Sequence, residues 1–132
     1  MNKGRVLIVD DEDIVRVSCQ RILVPEGYEV MSAGSATEGF AMLADGPIDV
    51  VLTDLKMPDI DGIEVLRRVK EEWPDTEVIV ITGYQTINTA VQAIKLGAFD
   101  YIEKPFVPED IVEVIEKAIA HRRERPDMMT EK

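Results

Sequence analysis

Val50-Val51-Leu52-Thr53-Asp54-Leu55-Lys56-Met57-Pro58 decides how this chain is read. Val50 to Thr53 are four β-leaning residues with no polar alternation, the pattern of a strand buried on both faces of a parallel sheet. The run ends in a carboxylate, Asp54, and Pro58 excludes regular strand beyond it. Asp54 therefore sits at the carboxyl end of a buried strand, the edge at which open parallel sheets bind ligands. An Asp there is a metal ligand, a nucleophile or a cap for the next turn. For one Asp alone, the cap is the plainest reading.

Working outward, the same strand-then-polar pattern recurs. Val6-Leu7-Ile8-Val9 is a buried-strand run that ends in Asp10-Asp11-Glu12-Asp13. Asp13 is placed to cap the helix that follows, whose inner face carries Val15, Cys19 and Ile22 with Ser18 and which stops at Pro25 and Gly27. Cys19 on that stripe reads as a small core residue. Asp10 and Asp11 are less ordinary, because adjacent acids repel and need an offsetting cation. Tyr28 to Ala33 alternates weakly, as an edge strand does. Ser35-Ala36-Thr37-Glu38 is a capping-box pattern opening a helix with Ala36, Phe40 and Leu43 on one face, closed by Gly46-Pro47. Gly39 inside it is poorly suited to a helix.

Beyond the central strand, Asp59-Ile60-Asp61-Gly62 leads into a helix with Ile63, Leu66 and Val69 inward and Trp73-Pro74 at its end. Trp73 reads as a lid on the edge of the core. Glu77 to Thr82 is a fourth strand ending in a hydroxyl. A helix over about Thr86 to Leu96 follows, with Ile87, Ala90, Val91 and Ile94 on one stripe and Gly97 as its C-terminal glycine. Asp100 to Glu103 is a short fifth strand leading to Lys104-Pro105. Pro108 begins the last helix, with Glu109 and Asp110 at its start, basic residues near its end and Ile111, Val114, Ile115, Ala118 and Ile119 facing the core. His121, the single histidine, reads as a solvated surface residue.

Composition sets the outer bounds. The chain has 132 residues, suited to one domain able to bury about two-thirds of its unfolded surface without staples. Fifteen basic and 26 acidic residues give a formal charge of -11, which argues against direct contact with nucleic acid or an anionic membrane. One cysteine excludes an internal disulfide. No secretory leader pattern and no apolar run near the roughly 20 residues of a bilayer span are seen. The expectation is a cytoplasmic, acidic domain.

Strand and helix alternate five times, which calls for an α/β fold with a parallel sheet covered by helices on both faces. Right-handed crossovers bring the carboxyl ends of all strands to one edge. Those ends carry Asp10 and Asp11, Asp54, Thr82 and Lys104. Three carboxylates with no histidine or usable cysteine make a hard oxygen site suited to Mg²⁺ or Mn²⁺. With one divalent ion and Lys104 the formal charge sums to zero. A phosphoryl group arriving there would find the positioning and neutralisation that phosphoryl transfer requires, and Asp54 is placed to attack phosphorus.

Taken in order on the strand ends, Asp10-Asp11, Asp54, Thr82 and Lys104-Pro105 resemble the receiver domain of two-component response regulators, over about Lys3 to about His121 (a domain at 3–121). The resemblance implies a flavodoxin-like, doubly wound five-stranded sheet in the order 2-1-3-4-5. It implies that Asp54 is the phosphoacceptor, taking phosphate from a sensor histidine kinase, a phosphotransfer domain or a small acyl phosphate. Asp10 and Asp11 would hold the metal with Asp54, one directly and one through water, and the Lys56 backbone carbonyl would complete the set. Lys104 would pair with the phosphoryl group, with a cis bond to Pro105. Thr82 and Tyr101 would be the switch pair, Thr82 moving to the phosphoryl group and the Tyr101 ring turning inward. Without those companions, Tyr101 reads as a half-buried strand aromatic. The changing surface would be the fourth helix, fifth strand and fifth helix, shifted as a pre-existing equilibrium.

Gly97-Ala98-Phe99-Asp100-Tyr101 resembles receivers that front AAA+ transcription activators. Residues 122–132, with Pro126 and no apolar period, then read as a frayed end or the start of a linker to an output domain. A phosphorylation-linked homodimer fits the same class, and a dedicated enzyme does not. Three rivals fit less well. A phosphatase of the haloacid-dehalogenase type wants a second Asp where Lys56 stands. A receiver-like interaction module that is never phosphorylated usually lacks an acid or the lysine. A flavodoxin wants a Ser/Thr/Gly-rich loop after the first strand.

Overall fold

The computed structural model describes residues 3–57, 59–83 and 87–130, and for Thr82, Ile87, Asn88, Ala90 and residues 123–130 the backbone alone. The elements run β1 (Arg5–Val9), α1 (Asp13–Leu23), a 3₁₀ turn (Val24–Glu26), β2 (Glu29–Ala33), α2 (Ala36–Asp45), β3 (Val50–Asp54), α3 (Gly62–Glu72), β4 (Glu77–Thr82), α4 (Ile87–Lys95), β5 (Asp100–Glu103) and α5 (Pro108–Thr130). The strands are parallel, in the order β2-β1-β3-β4-β5. The register pairs Val9 with Thr53, Asp54 with Ile81 and Thr82 with Glu103. The carboxyl ends are thus nearly flush, and the residues that follow them share one edge.

The short apolar runs are strands because side chains alternate between faces, and here both faces are covered. Val6, Ile8, Leu52, Ile79 and Ile81 pack under α1 and α5, against Val15, Cys19, Ile111 and Ile115. Leu7, Val9, Val51, Val78 and Val80 pack under α2 and α3, against Phe40, Leu43, Leu66 and Val69. α5 buries the five residues expected of it, Ile111, Val114, Ile115, Ala118 and Ile119. Trp73 packs partly buried at the rim of the second layer.

Local signals explain the helix ends. Ser35 Oγ accepts from Glu38 N–H at 3.2 Å and Glu38 Oε1 accepts from Gly34 N–H at 2.7 Å, so the capping box closes one residue further out than its simplest form. Asp61 caps α3 by accepting from Glu64 N–H at 3.0 Å. Gly39, unfavourable by helix propensity, has a packing reason: a Cβ there would stand 3.0 Å from Val9 Cγ2, so α2 lies close on β1.

Asp59 links two of these ends. Its carboxylate accepts from Thr37 N–H and Thr37 Oγ1–H, each at 3.1 Å, and from Ala36 N–H at 3.4 Å. Slight burial pushes the carboxyl up, but the donors of Thr37, Ile60 and Ala36 outweigh it and hold its pKa below the ordinary value. The contribution is therefore complete at neutral pH and lost as pH falls through the folded value. Asp59→Ala should cost about 1 kcal/mol, as loss of a helix cap does. Urea unfolding at pH 7 checks this, and the difference should shrink in acid.

Several expectations are corrected. Glu12, not Asp13, is the N-cap residue of α1 and makes no side-chain cap bond. Asp13 is already helical, and its carboxylate pairs with Arg16. On α4, Val91 and Ile94 of the expected stripe are each 45% exposed, Ala93 is buried, and the side chains of Ile87 and Ala90 lie outside the described residues. Ala93 is small enough to permit close approach to the sheet, and Val91 and Ile94 stand at the flank. The start expected at Thr86 lies outside the described residues. His121 is not simply solvated. Its Nδ1 lies 2.6 Å from Oε2 of the buried Glu77, and its ring packs on Phe99 at 5.3 Å between centroids. The α5 backbone is helical through Pro126 to Thr130, over residues that the sequence reads as a frayed end or the start of a linker. No helix among the described residues is long and apolar enough to cross a membrane.

Candidate functional site

At the carboxyl edge, β1 and β3 are neighbours and their helices lie on opposite faces, so a crevice opens between the turns that follow them. Asp10 leaves β1 into this crevice fully buried, and Asp54 ends β3 at 6% exposure. Each is held by its own turn. Asp10 Oδ1 accepts from Glu12 N–H at 2.9 Å, and Asp54 Oδ1 accepts from Lys56 N–H at 3.3 Å. Arg16 reaches back from α1, its Nη1 donating to the Asp10 carbonyl at 2.5 Å. Lys104, from the end of β5, spans the crevice. Its Nζ lies 2.9 Å from Glu12 Oε1, 3.3 Å from Asp10 Oδ2 and 3.5 Å from Asp54 Oδ2. The Lys104-Pro105 peptide bond is cis.

The electrostatics follow from burial. Desolvation raises the pKa of Asp10, and the charge of Asp54 adds to it, while the Glu12 N–H and Lys104 oppose it. Burial pulls the Lys104 ammonium down, but the carboxylates of Glu12, Asp10 and Asp54 more than offset this and hold it above its ordinary value. Cys19, beneath the site, has its thiol pushed up to about 12, chiefly by burial, which keeps it inert.

Of the residues singled out in the sequence, Asp10, Asp54 and Lys104 come together. Asp11, the next residue, is exposed. The third carboxylate of the cluster is Glu12: oxygens of Asp10, Glu12 and Asp54 all lie within 4.8 Å of one another. The Thr82 backbone ends β4 at the same edge, and its side chain lies outside the described residues. Tyr101 is on β5 with 40% exposure. Sequence reading missed Glu12, Arg16 and Gly62. Glu12 could have been suspected from its place in the acidic run, whereas Gly62 carries no local signal.

The donor set suits a hard divalent cation. It is all carboxylate oxygen, and Asp10 Oδ2 is buried without a hydrogen bond, Lys104 Nζ being near but not aligned. A doubly wound α/β protein with three carboxylates and one ammonium at its topological switch point is the class that fold and site define. The chain belongs to the response regulator receiver domain family, whose family model matches residues 6–116. It is 38% identical over 125 residues to the DNA-binding transcriptional regulator NtrC of Proteus hauseri, covering 95% of this chain and 26% of that protein. Among solved structures, a CheY-like receiver domain protein from Methanospirillum hungatei JF-1 superposes with a TM-score of 0.88 at 35% identity, covering 92% of this chain and 98% of that one. The beryllofluoride-activated NtrC4 receiver domain dimer gives 0.86 at 40% identity, over 89% and 98%. The chain spans about a quarter of the length of the curated relatives it matches.

Proposed function

We propose that Asp54 is the phosphoacceptor of a phosphorylation-dependent switch. The observation that carries this is the Lys104 ammonium held among the carboxylates of Asp10, Glu12 and Asp54 at the carboxyl edge of the sheet. An Asp54 carboxylate oxygen attacks phosphorus, the bond from phosphorus to the donor breaks, and an acyl phosphate forms. The donor is a sensor histidine kinase, a phosphotransfer domain or a small acyl phosphate, whose leaving group departs as histidine nitrogen or carboxylate. Mg²⁺ or Mn²⁺ would be held by Asp10, Asp11, Asp54 and the Lys56 carbonyl, and when bound it neutralises phosphoryl oxygens. Lys104 leaves the carboxylates to donate to a phosphoryl oxygen, and the Thr82 hydroxyl meets another.

The new charge biases an existing equilibrium. The relay runs from Thr82 to Tyr101 and changes the α4, β5 and α5 face, where Val91, Ile94 and Tyr101 are exposed. Residues 3–121 are the receiver, and residues 122–132 begin a linker to an output domain that regulates transcription, of the AAA+ activator kind. Likeness to NtrC supports that output, and likeness to an activated receiver dimer supports a phosphorylation-linked homodimer.

Intact-mass spectrometry after incubation with acetyl phosphate, with and without Mg²⁺, tests the chemistry. The expected result is a Mg²⁺-dependent gain of one phosphate that Asp54→Ala abolishes. No gain from acetyl phosphate or from a histidine kinase, in a folded protein that binds Mg²⁺, would replace this reading with a phosphorylation-independent interaction module.

A further inference from the structure

The shortest contact of Lys104 is to Glu12, a carboxylate of the cluster that the reaction above assigns neither to the metal nor to the phosphoryl group. Glu12 Oε1 is 2.9 Å from Lys104 Nζ, nearer than Asp10 at 3.3 Å or Asp54 at 3.5 Å. Glu12 stands at the N-cap position of α1 yet makes no side-chain cap bond there, so its carboxylate is free to turn over the crevice. We propose that Glu12 is a resident counter-anion for Lys104, occupying the ammonium that an incoming phosphoryl oxygen needs and so setting how readily Asp54 is phosphorylated. This rests on the reading of Asp54 as the acceptor.

The three carboxylates are not equivalent as competitors. Asp10 and Asp54 are short side chains fixed at strand ends, and each has one oxygen tied to a backbone N–H. Neither can withdraw without moving the sheet edge. The Glu12 side chain is 55% exposed and longer, and its carboxylate can pass into water at little desolvation cost. The phosphoryl oxygens and Glu12 Oε1 are alternative acceptors for one ammonium. The ammonium has three N–H donors, and Glu12 takes the shortest of its contacts, so a phosphoryl oxygen competes with Glu12 for Lys104 and dephosphorylation restores the pair. An exposed ion pair of ordinary strength changes such an equilibrium by about threefold.

Two variants separate contact from field. Glu12→Gln removes the charge. Glu12→Asp keeps it but is one methylene shorter, so its carboxylate withdraws from Lys104. The measurements are the initial rate with acetyl phosphate at saturating Mg²⁺, the Mg²⁺ affinity by calorimetry without donor, and the ¹⁵N signal of the Lys104 ammonium, which a merely structural role would not move. Both variants should be phosphorylated about threefold faster than wild type, bind Mg²⁺ within about threefold of its affinity, and shift the ¹⁵N signal of the Lys104 ammonium. Equal or slower rates in Glu12→Gln would overturn the proposal. A gain in Glu12→Gln alone would assign the effect to charge in the field and overturn the contact. A tenfold loss of Mg²⁺ affinity in both would make Glu12 a metal ligand instead. If the wild-type protein takes up no phosphate, the Asp54 reading fails first and this one with it; if it does and the rates are equal, Glu12 alone is excluded.

Discussion

Gly62→Ala should destabilise the domain by about 3 kcal/mol, a fall in Tm of roughly 10 °C, and slow phosphorylation of Asp54. Gly62 is the first residue of α3, and its N–H donates to the Leu55 carbonyl at 2.9 Å. A Cβ built there would stand 2.4 Å from the Asp54 carbonyl oxygen and 2.5 Å from Leu55 Cα. Both are backbone atoms in a closely packed layer and cannot turn aside as a side chain would. The helix must retreat or the turn after β3 must shift, and the second moves Asp54 itself. Alanine would favour the helix by about 1 kcal/mol at an interior position and less at the first one, so it does not offset the clash. Gly83→Ala is the control: among the described residues its Cβ would meet Lys104 Cδ at 3.7 Å, an ordinary contact. Thermal unfolding of the two variants should separate them by most of the predicted fall. An unchanged Tm for Gly62→Ala would mean that the turn after β3 yields without cost.

Asp10→Asn should have opposite effects on stability and on function. Without metal, it should stabilise the protein at pH 7, by on the order of 1 kcal/mol, because the Asp10 charge is fully buried beside Asp54 and its pKa is raised. Loss of one of three partners by Lys104 limits the gain. The sign follows from proton uptake: with a raised carboxyl pKa the folded state binds the proton first. Wild-type stability therefore rises as pH falls through the folded value, and the advantage of Asn shrinks in that window and is gone below the ordinary carboxylate pKa. Added Mg²⁺ should reverse the order. At a hundred times its Kd, Mg²⁺ stabilises a protein that binds it only when folded by about 2.7 kcal/mol. The Asn variant should gain little of this, and its phosphorylation should be slower by on the order of a hundredfold. Unfolding in EDTA and in Mg²⁺, over pH 4 to 8, reads all of this. A variant less stable than wild type in EDTA would show that Lys104 more than neutralises the buried charge.

The strands, their parallel pairing and the edge on which the polar residues meet are legible before any coordinates. Those are consequences of local pattern: apolar runs of strand length, each ending in a polar residue, and a crossover helix after every one. Asp10, Asp54 and Lys104 were legible because strand ends fix where short side chains, and the stem of a long one, must emerge. The rest depends on the folded chain. Folding brought Glu12 over Lys104, because the chain after β1 bends into α1 and a flexible side chain goes where the charge is. It buried Ala93 on α4 and left Val91 and Ile94 exposed, since a helical stripe does not say which of its sides the sheet will cover. It paired His121 with Glu77 across 44 residues, and pressed Gly62 against the turn that carries Asp54. None of these is periodic or local. Each depends on distances between segments that meet only when the sheet has formed.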